Sequence, residues 1–236
     1  MTQPTRRQEA RTGRGGRPAL LTRERIVAAA VDVLDAEGLD ALTMRRVGAR
    51  LGVAAMSLYR HVPNRDALLA AVVDHLFAEA VAEPVGEDGW AEALIRFAAA
   101  YRGTLLAHPH AVPLLATHPV DVETGTALLA GLLERFAASG IEPQDALLAV
   151  QSVGVYVLGH ALAQVGTPPG TEGPPPPADT DTDTDTDDAA AAFYDHWFDT
   201  GLRAMVTGFE HRLTGTSRPT PATHTTGDAP RSTPGT

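Results

Sequence analysis

The sequence predicts an all-α protein made of a small three-helix head and a larger helical body, and three observations carry that prediction. Apolar residues recur at the three-and-four spacing of buried helix faces along most of the chain. Strand-type alternation is absent. Glycine and proline fall where they would end those helices rather than interrupt them.

The first helix is expected from about Thr22 to Glu37, with Ile26, Val27, Ala30, Val31 and Leu34 on one face. Thr22 is placed to cap its start, Glu24 lies where the helix dipole favours an acid, and Gly38 can adopt the left-handed conformation that closes its end. A second short helix follows from Thr43 to about Leu51, turning inward Val47 and Leu51, and Gly52 permits a tight turn. The third runs from about Ala54 to His61 and stops there, because Pro63 disfavours helical geometry at Val62 and has no N–H to donate. Further helices are expected at Arg65 to Ala82, Trp90 to Ala107, Val112 to Thr117, Val122 to Ala138 and Pro143 to about Val165. Residues 166–188 change composition to proline and then alternating Asp and Thr, which reads as a disordered loop, and the last helix spans about Ala189 to Leu213. The expected organisation is a disordered basic arm at 1–18, a head at 19–80, a body at 81–213 and a disordered tail at 214–236.

Charge divides the chain in the same way. The net charge is −10, yet residues 1–65 hold 12 Arg against six acids, while the remainder holds seven Arg against 23 acids. Phosphates would attract the head and be repelled by the body, so a nucleic acid is expected to meet one end only. There is no cysteine, which excludes disulfides, thiolate metal sites and cysteine nucleophiles. No stretch approaches 18 consecutive apolar residues and the first 30 lack the apolar core of a secretory signal, so a cytoplasmic protein with no membrane partner is expected.

Enzyme signatures are missing: there is no Gly-x-Ser-x-Gly, no Walker-type loop and no dinucleotide fingerprint. The carboxylates between Asp179 and Asp187 lack the glycine turn and terminal Glu of a calcium loop, and His108 with His110 has no Glu at metalloprotease spacing. No metal, no cofactor and no catalytic residue is expected.

Reading the major groove requires a short exposed helix held at a fixed angle by a partner, its N-terminal side chains facing base edges. Residues 43–61 supply this pattern. Leu42, Val47, Leu51, Val53, Leu58 and Val62 would lock the two helices onto the first and leave Arg45, Arg46, Ala55, Met56, Ser57, Tyr59, Arg60 and His61 more exposed. Tyr59 also suits a partly buried core position.

Gly16-Arg17-Pro18, Leu42-Thr43-Met44-Arg45-Arg46-Val47, Leu51-Gly52-Val53 and the run from Ser57 to Leu69, Ser-Leu-Tyr-Arg-His-Val-Pro-Asn-Arg-Asp-Ala-Leu-Leu, together resemble the head of the tetracycline-repressor (TetR) family. The resemblance implies that Thr43 and Arg45 open the supporting helix near a phosphate, that Ala55, Met56 and Ser57 face bases, and that Tyr59, His61 and Arg65 hold the DNA backbone, with Arg60 a candidate guanine contact. Ala55 and Met56 offer only apolar contact, suited to thymine methyl groups.

The second half resembles the tetracycline-repressor branch through Asp88-Gly89-Trp90, Leu105-Leu106-Ala107-His108, Ala116-Thr117-His118-Pro119, Val153 to Gly159 and Gly201-Leu202 through Gly208 to Leu213. This implies a C-terminal body that binds a small organic effector and forms a homodimer on a palindromic operator. Independently, Ala146 to Leu162 is apolar on more than one face, as a helix buried on several sides must be. The polar positions that hold drug and magnesium in that branch correspond here to Val81, Phe97, Leu114 or Leu115, and Ala163, so the effector is expected not to be tetracycline-magnesium. A more apolar pocket lined by Phe97, Tyr101, His118, Gln151, Tyr156 and His160 is expected, although each of these residues also suits ordinary core. The rival reading is an architectural or protein-regulated DNA binder with no small ligand, and an enzyme is the third.

Overall fold

The computed structural model of the chain describes residues 20–82, 88–165 and 184–214, with side chains from 189 in the last segment. The expected arm, most of the expected loop and the tail lie outside the described residues. Ten α-helices and two 3₁₀ turns occur among them, and no strand. They form two compact units, residues up to 77 with 108–121, and residues 78–107 with 122 onward.

The first unit is built on α1 (Arg23–Glu37), whose buried face is Ile26, Val27, Ala30 and Leu34. Thr22 caps it as expected, its hydroxyl accepting from the Arg25 amide at 3.3 Å. Gly38 has φ 80° but ψ 175°, so it closes the helix from an extended positive-φ conformation rather than the expected left-handed one, donating its N–H to the Leu34 carbonyl. A 3₁₀ turn at Leu39–Ala41 leads into α2 (Met44–Leu51), capped by Thr43 through the Arg46 amide at 3.2 Å and closed by Gly52 in the left-handed conformation. The third helix, α3, is only Ala55–Leu58, shorter than the expected Ala54 to His61. The amides of Ser57 and His61 bond three residues back, to Ala54 and Leu58, so the segment tightens into turns at both ends. Asn64 caps the next helix, α4 (Arg65–Ala80), by accepting the Ala67 amide at 2.8 Å.

Residues 108–121 rejoin this unit from the middle of the chain. They hold a second 3₁₀ turn, Pro109–Ala111, which packs on α1, and α6 (Val112–Thr117). Two histidines fasten the segment to the last turn of α1: His108 Nδ1 lies 2.8 Å from a carboxylate oxygen of Asp35, and His110 Nδ1 lies 2.9 Å from the Asp35 carbonyl.

In the second unit, α5 (Trp90–Ala107) packs against α8 (Ala130–Ala138), α9 (Pro143–Val165) and α10 (Thr184–Thr214), and α9 packs in turn on α8 and α10. Their core includes Trp90, Leu94, Tyr101, Phe136, Val153, Val157, Phe198 and Leu202. The helix expected from Val122 to Ala138 is broken at Leu129 into α7 (Val122–Leu128) and α8. The reason is local. α7 buries no residue, and its Thr124, Gly125 and Thr126 are poor helix formers, so nothing enforces continuity. The final helix begins at Thr184, ahead of the expected Ala189, as four alanines at 189–192 favour propagation into the preceding residues.

Candidate nucleic-acid interface

The head presents α3 on a frame set by burial and by ion pairs. Leu58 and Val62 are buried, which fixes the face of α3 turned inward. Gly48 allows α2 to come close: a β-carbon there would lie 3.0 Å from the Val53 carbonyl oxygen and 3.3 Å from the Ala55 amide nitrogen. Sequence inspection missed this position; its signal was a glycine inside a helix, where glycine costs stability unless close approach requires it.

Four charged side chains tie α1 to α2. Glu37 takes a forked pair of hydrogen bonds from Arg46, at 2.7 Å from Nε and 2.5 Å from Nη2, and Asp32 takes Arg50 at 2.9 Å. The hydrogen bond from Arg46, ahead of its charge, holds the Glu37 carboxyl below its ordinary range, and the same bond raises Arg46. Arg46 and Arg50 thereby serve the frame.

Arg65 has an internal duty as well. It donates from Nε to the Leu42 carbonyl at 2.9 Å and from Nη2 to the Leu39 carbonyl at 3.3 Å, binding the start of α4 to the turn before α2. Arg45 and Arg60, by contrast, are exposed and make no ion pair with a described residue. Met56 is 75% exposed and Tyr59 43%, with Thr43 and His61 also exposed and Ala55 and Ser57 half-buried. Met56 and Tyr59, exposed like Arg45 and Arg60, are not part of the buried core of the unit. The arrangement can offer cations to phosphates, an arginine fork to a base edge and apolar contact to a thymine methyl.

Of the six residues expected to line an effector pocket, Phe97, Tyr101, Gln151, Tyr156 and His160 lie in the second unit and His118 in the first. Phe97 and Tyr101 are buried on α5 with stacked rings 5.9 Å apart, and burial pushes the Tyr101 hydroxyl up to about 12. Tyr156 and His160 neighbour each other on α9, ring centroids 6.1 Å apart, and Tyr156 donates to the Phe198 carbonyl of α10 at 2.9 Å. Gln151 is exposed on α9, and His118 is exposed in the first unit, its Nδ1 3.0 Å from the Thr117 hydroxyl. The buried positions nearest them are Val150 and Val153 on α9 and Leu114 and Leu115 on α6. Arg102, Tyr194, Trp197 and Phe198 are drawn into the environment of Tyr156 and His160, and sequence reasoning missed them. The aromatic cluster at 193–198 was the available signal.

Among the described residues no group of three or more His, Asp or Glu side chains could hold a metal.

Two family profiles match the chain, the second running through residues 108–121 of the first unit as well as the second unit. The profile for bacterial regulatory proteins of the tetR family matches residues 26–72, and that for the tetracyclin repressor-like C-terminal domain matches residues 83–213. The chain belongs to the TetR family. The first of these profiles describes bacterial regulatory proteins. An HTH-type transcriptional regulator of Saccharopolyspora erythraea is 36% identical over 145 residues, 61% of this chain and 61% of its own length. This TetR-family chain thus spans about three fifths of that relative. The class D tetracycline repressor protein of Escherichia coli is 29% identical over 208 residues, 83% of this chain and 92% of the repressor. Among solved structures, the TetR-family protein ActR of Streptomyces coelicolor in complex with actinorhodin superposes with a TM-score of 0.63 at 30% identity, covering 85% of this chain and 100% of ActR.

Proposed function

We propose that the chain is a repressor that binds a palindromic operator as a homodimer and leaves it when a small organic effector occupies the body. The observation that carries the operator contact is the division of labour among the head's arginines. Arg46 and Arg50 are spent on ion pairs with Glu37 and Asp32, which leaves the charges of Arg45 and Arg60 for DNA. Thr43 and Arg45 would sit at a phosphate, Ala55, Met56 and Ser57 at bases, Arg60 at a guanine, and Tyr59, His61 and Arg65 along the backbone.

Pairing of two copies is supported by apolar side chains left in solvent. On α9, Leu148, Val155 and Leu162 are 44%, 69% and 42% exposed and stand seven residues apart, so they share one helix face. On α10, Phe193 and Trp197 are 63% and 45% exposed. The helix α9 is long and apolar enough to cross a membrane, with mean hydropathy 1.6, but it packs on α5, α8 and α10. A second copy covering the remaining stripe accounts for its composition, and a two-fold dimer would present two heads to two half-sites.

For the effector, the buried Phe97 and Tyr101 and the Tyr156–His160 pair favour a largely apolar molecule with aromatic surface, and the similar protein ActR has been solved in complex with a small molecule, actinorhodin. Val81, Phe97, Leu114, Leu115 and Ala163 supply no metal-chelating oxygen or nitrogen, so magnesium-dependent release by tetracycline is not expected. The effector would act by binding better to a body conformation that sets the heads out of register with the half-sites.

The test is selection of sites from random duplexes at physiological salt with the wild-type chain, repeated with Tyr59→Ala, Arg60→Ala and Arg45→Ala. A two-fold palindrome is expected, with specificity relaxed at one position by Arg60→Ala, at about 1–3 kcal/mol, and a salt slope lowered by about one in Arg45→Ala. Weak binding of all sequences that disappears with added salt would defeat the repressor reading and favour an architectural one.

A further inference from the structure

His160 is only 3% exposed, and neither of its ring nitrogens has a hydrogen-bond partner among the described residues. A neutral imidazole carries one donor and one acceptor, and buried polar groups are nearly always satisfied. Around it stand four aromatic rings. Trp197 lies at 4.7 Å between centroids, Phe198 at 5.2 Å, Tyr194 at 5.8 Å and Tyr156 at 6.1 Å, all tilted or edge-on. Three of the four belong to α10, so the ring of His160 is a main point at which α9 seats that helix.

The charges that act on the ring come from two helices. From α5, the Arg102 guanidinium lies 4.8 Å from the Phe198 ring centroid and donates from Nη2 to Gln164 of α9 at 2.9 Å and to Asp195 of α10 at 2.7 Å. From α10, Asp195 is 63% exposed and already engaged by Arg102. The remaining titratable neighbours are Tyr156 and Tyr194, with Asp199 acting on Tyr156, and no charged group of α8 acts on His160. Burial first and Arg102 second hold the imidazole below its ordinary value of 6.5, against weaker opposition from the Tyr194 backbone and then Asp195. A proton on the ring would place a second cation near Arg102 without a free carboxylate to meet it. Aromatic faces attract cations, but the tilted rings offset this only in part.

We propose that His160 is a proton-operated pin between α9 and α10: neutral, it seats the aromatic residues of α10; protonated, it forces them away and weakens pairing of two copies through Trp197, which also lies on the exposed face. The last step rests on the dimer reading given above. Trp197 links the two events because it touches the His160 ring on one side and is half-exposed on the other.

The chain has two tryptophans, so Trp90→Phe leaves Trp197 as the sole fluorophore. In that background, Trp197 emission and the dimer dissociation constant, from sedimentation equilibrium, are followed from pH 8 to pH 5. Emission is expected to change with a midpoint below 6.5, and the dimer to weaken about tenfold or more across the same interval. Both changes should vanish in His160→Phe and in His160→Leu, the second variant guarding against a misfit of the first. Emission that stays flat in wild type, or a pH response that survives in both variants, would overturn the pin. A chain that is monomeric at pH 8 would remove the dimer reading alone, since the Trp197 signal reports the α9–α10 junction without a partner.

Discussion

Gly48 shows how one residue can set the geometry of a reading head. A side chain there meets backbone, the Val53 carbonyl at 3.0 Å and the Ala55 amide at 3.3 Å, and backbone in a tight turn has little room to give. Gly48→Val is therefore expected to destabilise the chain by about 1–3 kcal/mol, as overpacking does. It should also weaken operator binding more than the stability loss explains, because the turn it pushes on aims α3. Thermal unfolding followed by circular dichroism, set beside operator affinity measured well below the melting temperature, separates the two effects; equal affinity for the folded variant and wild type would show that the α2–α3 approach is not what positions the interface. The arginines carry a related lesson. The sequence shows Arg45, Arg46, Arg60 and Arg65 as equals, whereas the fold binds Arg46 and Arg65 to a carboxylate and to carbonyls and leaves the other two uncommitted. Which arginines were uncommitted was not legible, since it depends on Glu37, Leu39 and Leu42, brought near by the chain's turns.

At the scale of elements, α1 and α2 are joined by the Glu37–Arg46 fork, and its acid sensitivity follows from the lowered carboxyl of Glu37. A carboxyl whose folded-state value lies below its unfolded value of 4.5 contributes stability that is present above 4.5 and is lost as pH falls through the folded-state value. The urea midpoints of wild type and Glu37→Gln are thus expected to differ at pH 7 and to converge as pH falls below the carboxylate range. Because both side chains are exposed, the difference should be small. An unchanged gap in acid would show that the pair contributes through packing rather than charge. Helices with strong end signals were legible: Trp90–Ala107, Val112–Thr117 and Pro143–Val165 have the expected limits, set by proline or by a tryptophan that is buried. The short α3 and the break at Leu129 were not. Apolar periodicity cannot report where backbone bonds switch from four residues to three, or where a solvent-exposed helix such as α7 loses any packing that would keep it continuous.

For the whole molecule, neither the opposed charges of residues 1–65 and the rest nor the apolar pattern announces that residues 108–121 group with the first unit. Their apolar pattern would suit either unit. Their attachment depends on Asp35, whose side chain and carbonyl receive His108 and His110, and no periodicity announces such a contact. A chain ending at residue 77 is expected to be less stable than the head within the full chain, since it lacks the segment packed on α1. Amide exchange at Ile26, Leu34 and Val47 should be at least about tenfold faster in the truncated chain, which corresponds to about 1.4 kcal/mol of lost protection. Equal protection would mean that the segment rides on the head without supporting it. The effector residues remained ambiguous for a different reason: Phe97, Tyr101 and His160 obey the spacing of core positions, and a pocket wall and a packed core share that spacing.

The return of residues 108–121 to the first unit also bears on how such regulators can be recombined. The first unit is discontinuous in sequence, its second piece falling between α5 and α7 in chain order. A single crossover after residue 77 would pair the α1 of one parent with the 3₁₀ turn of another, and Asp35 would face whatever stood at 108 and 110. Successful exchange of DNA specificity between relatives should then favour either two breakpoints, bringing the inserted piece along, or substitutions confined to the exposed surface around α3, where Met56, Tyr59 and Arg60 can change without disturbing the clasp.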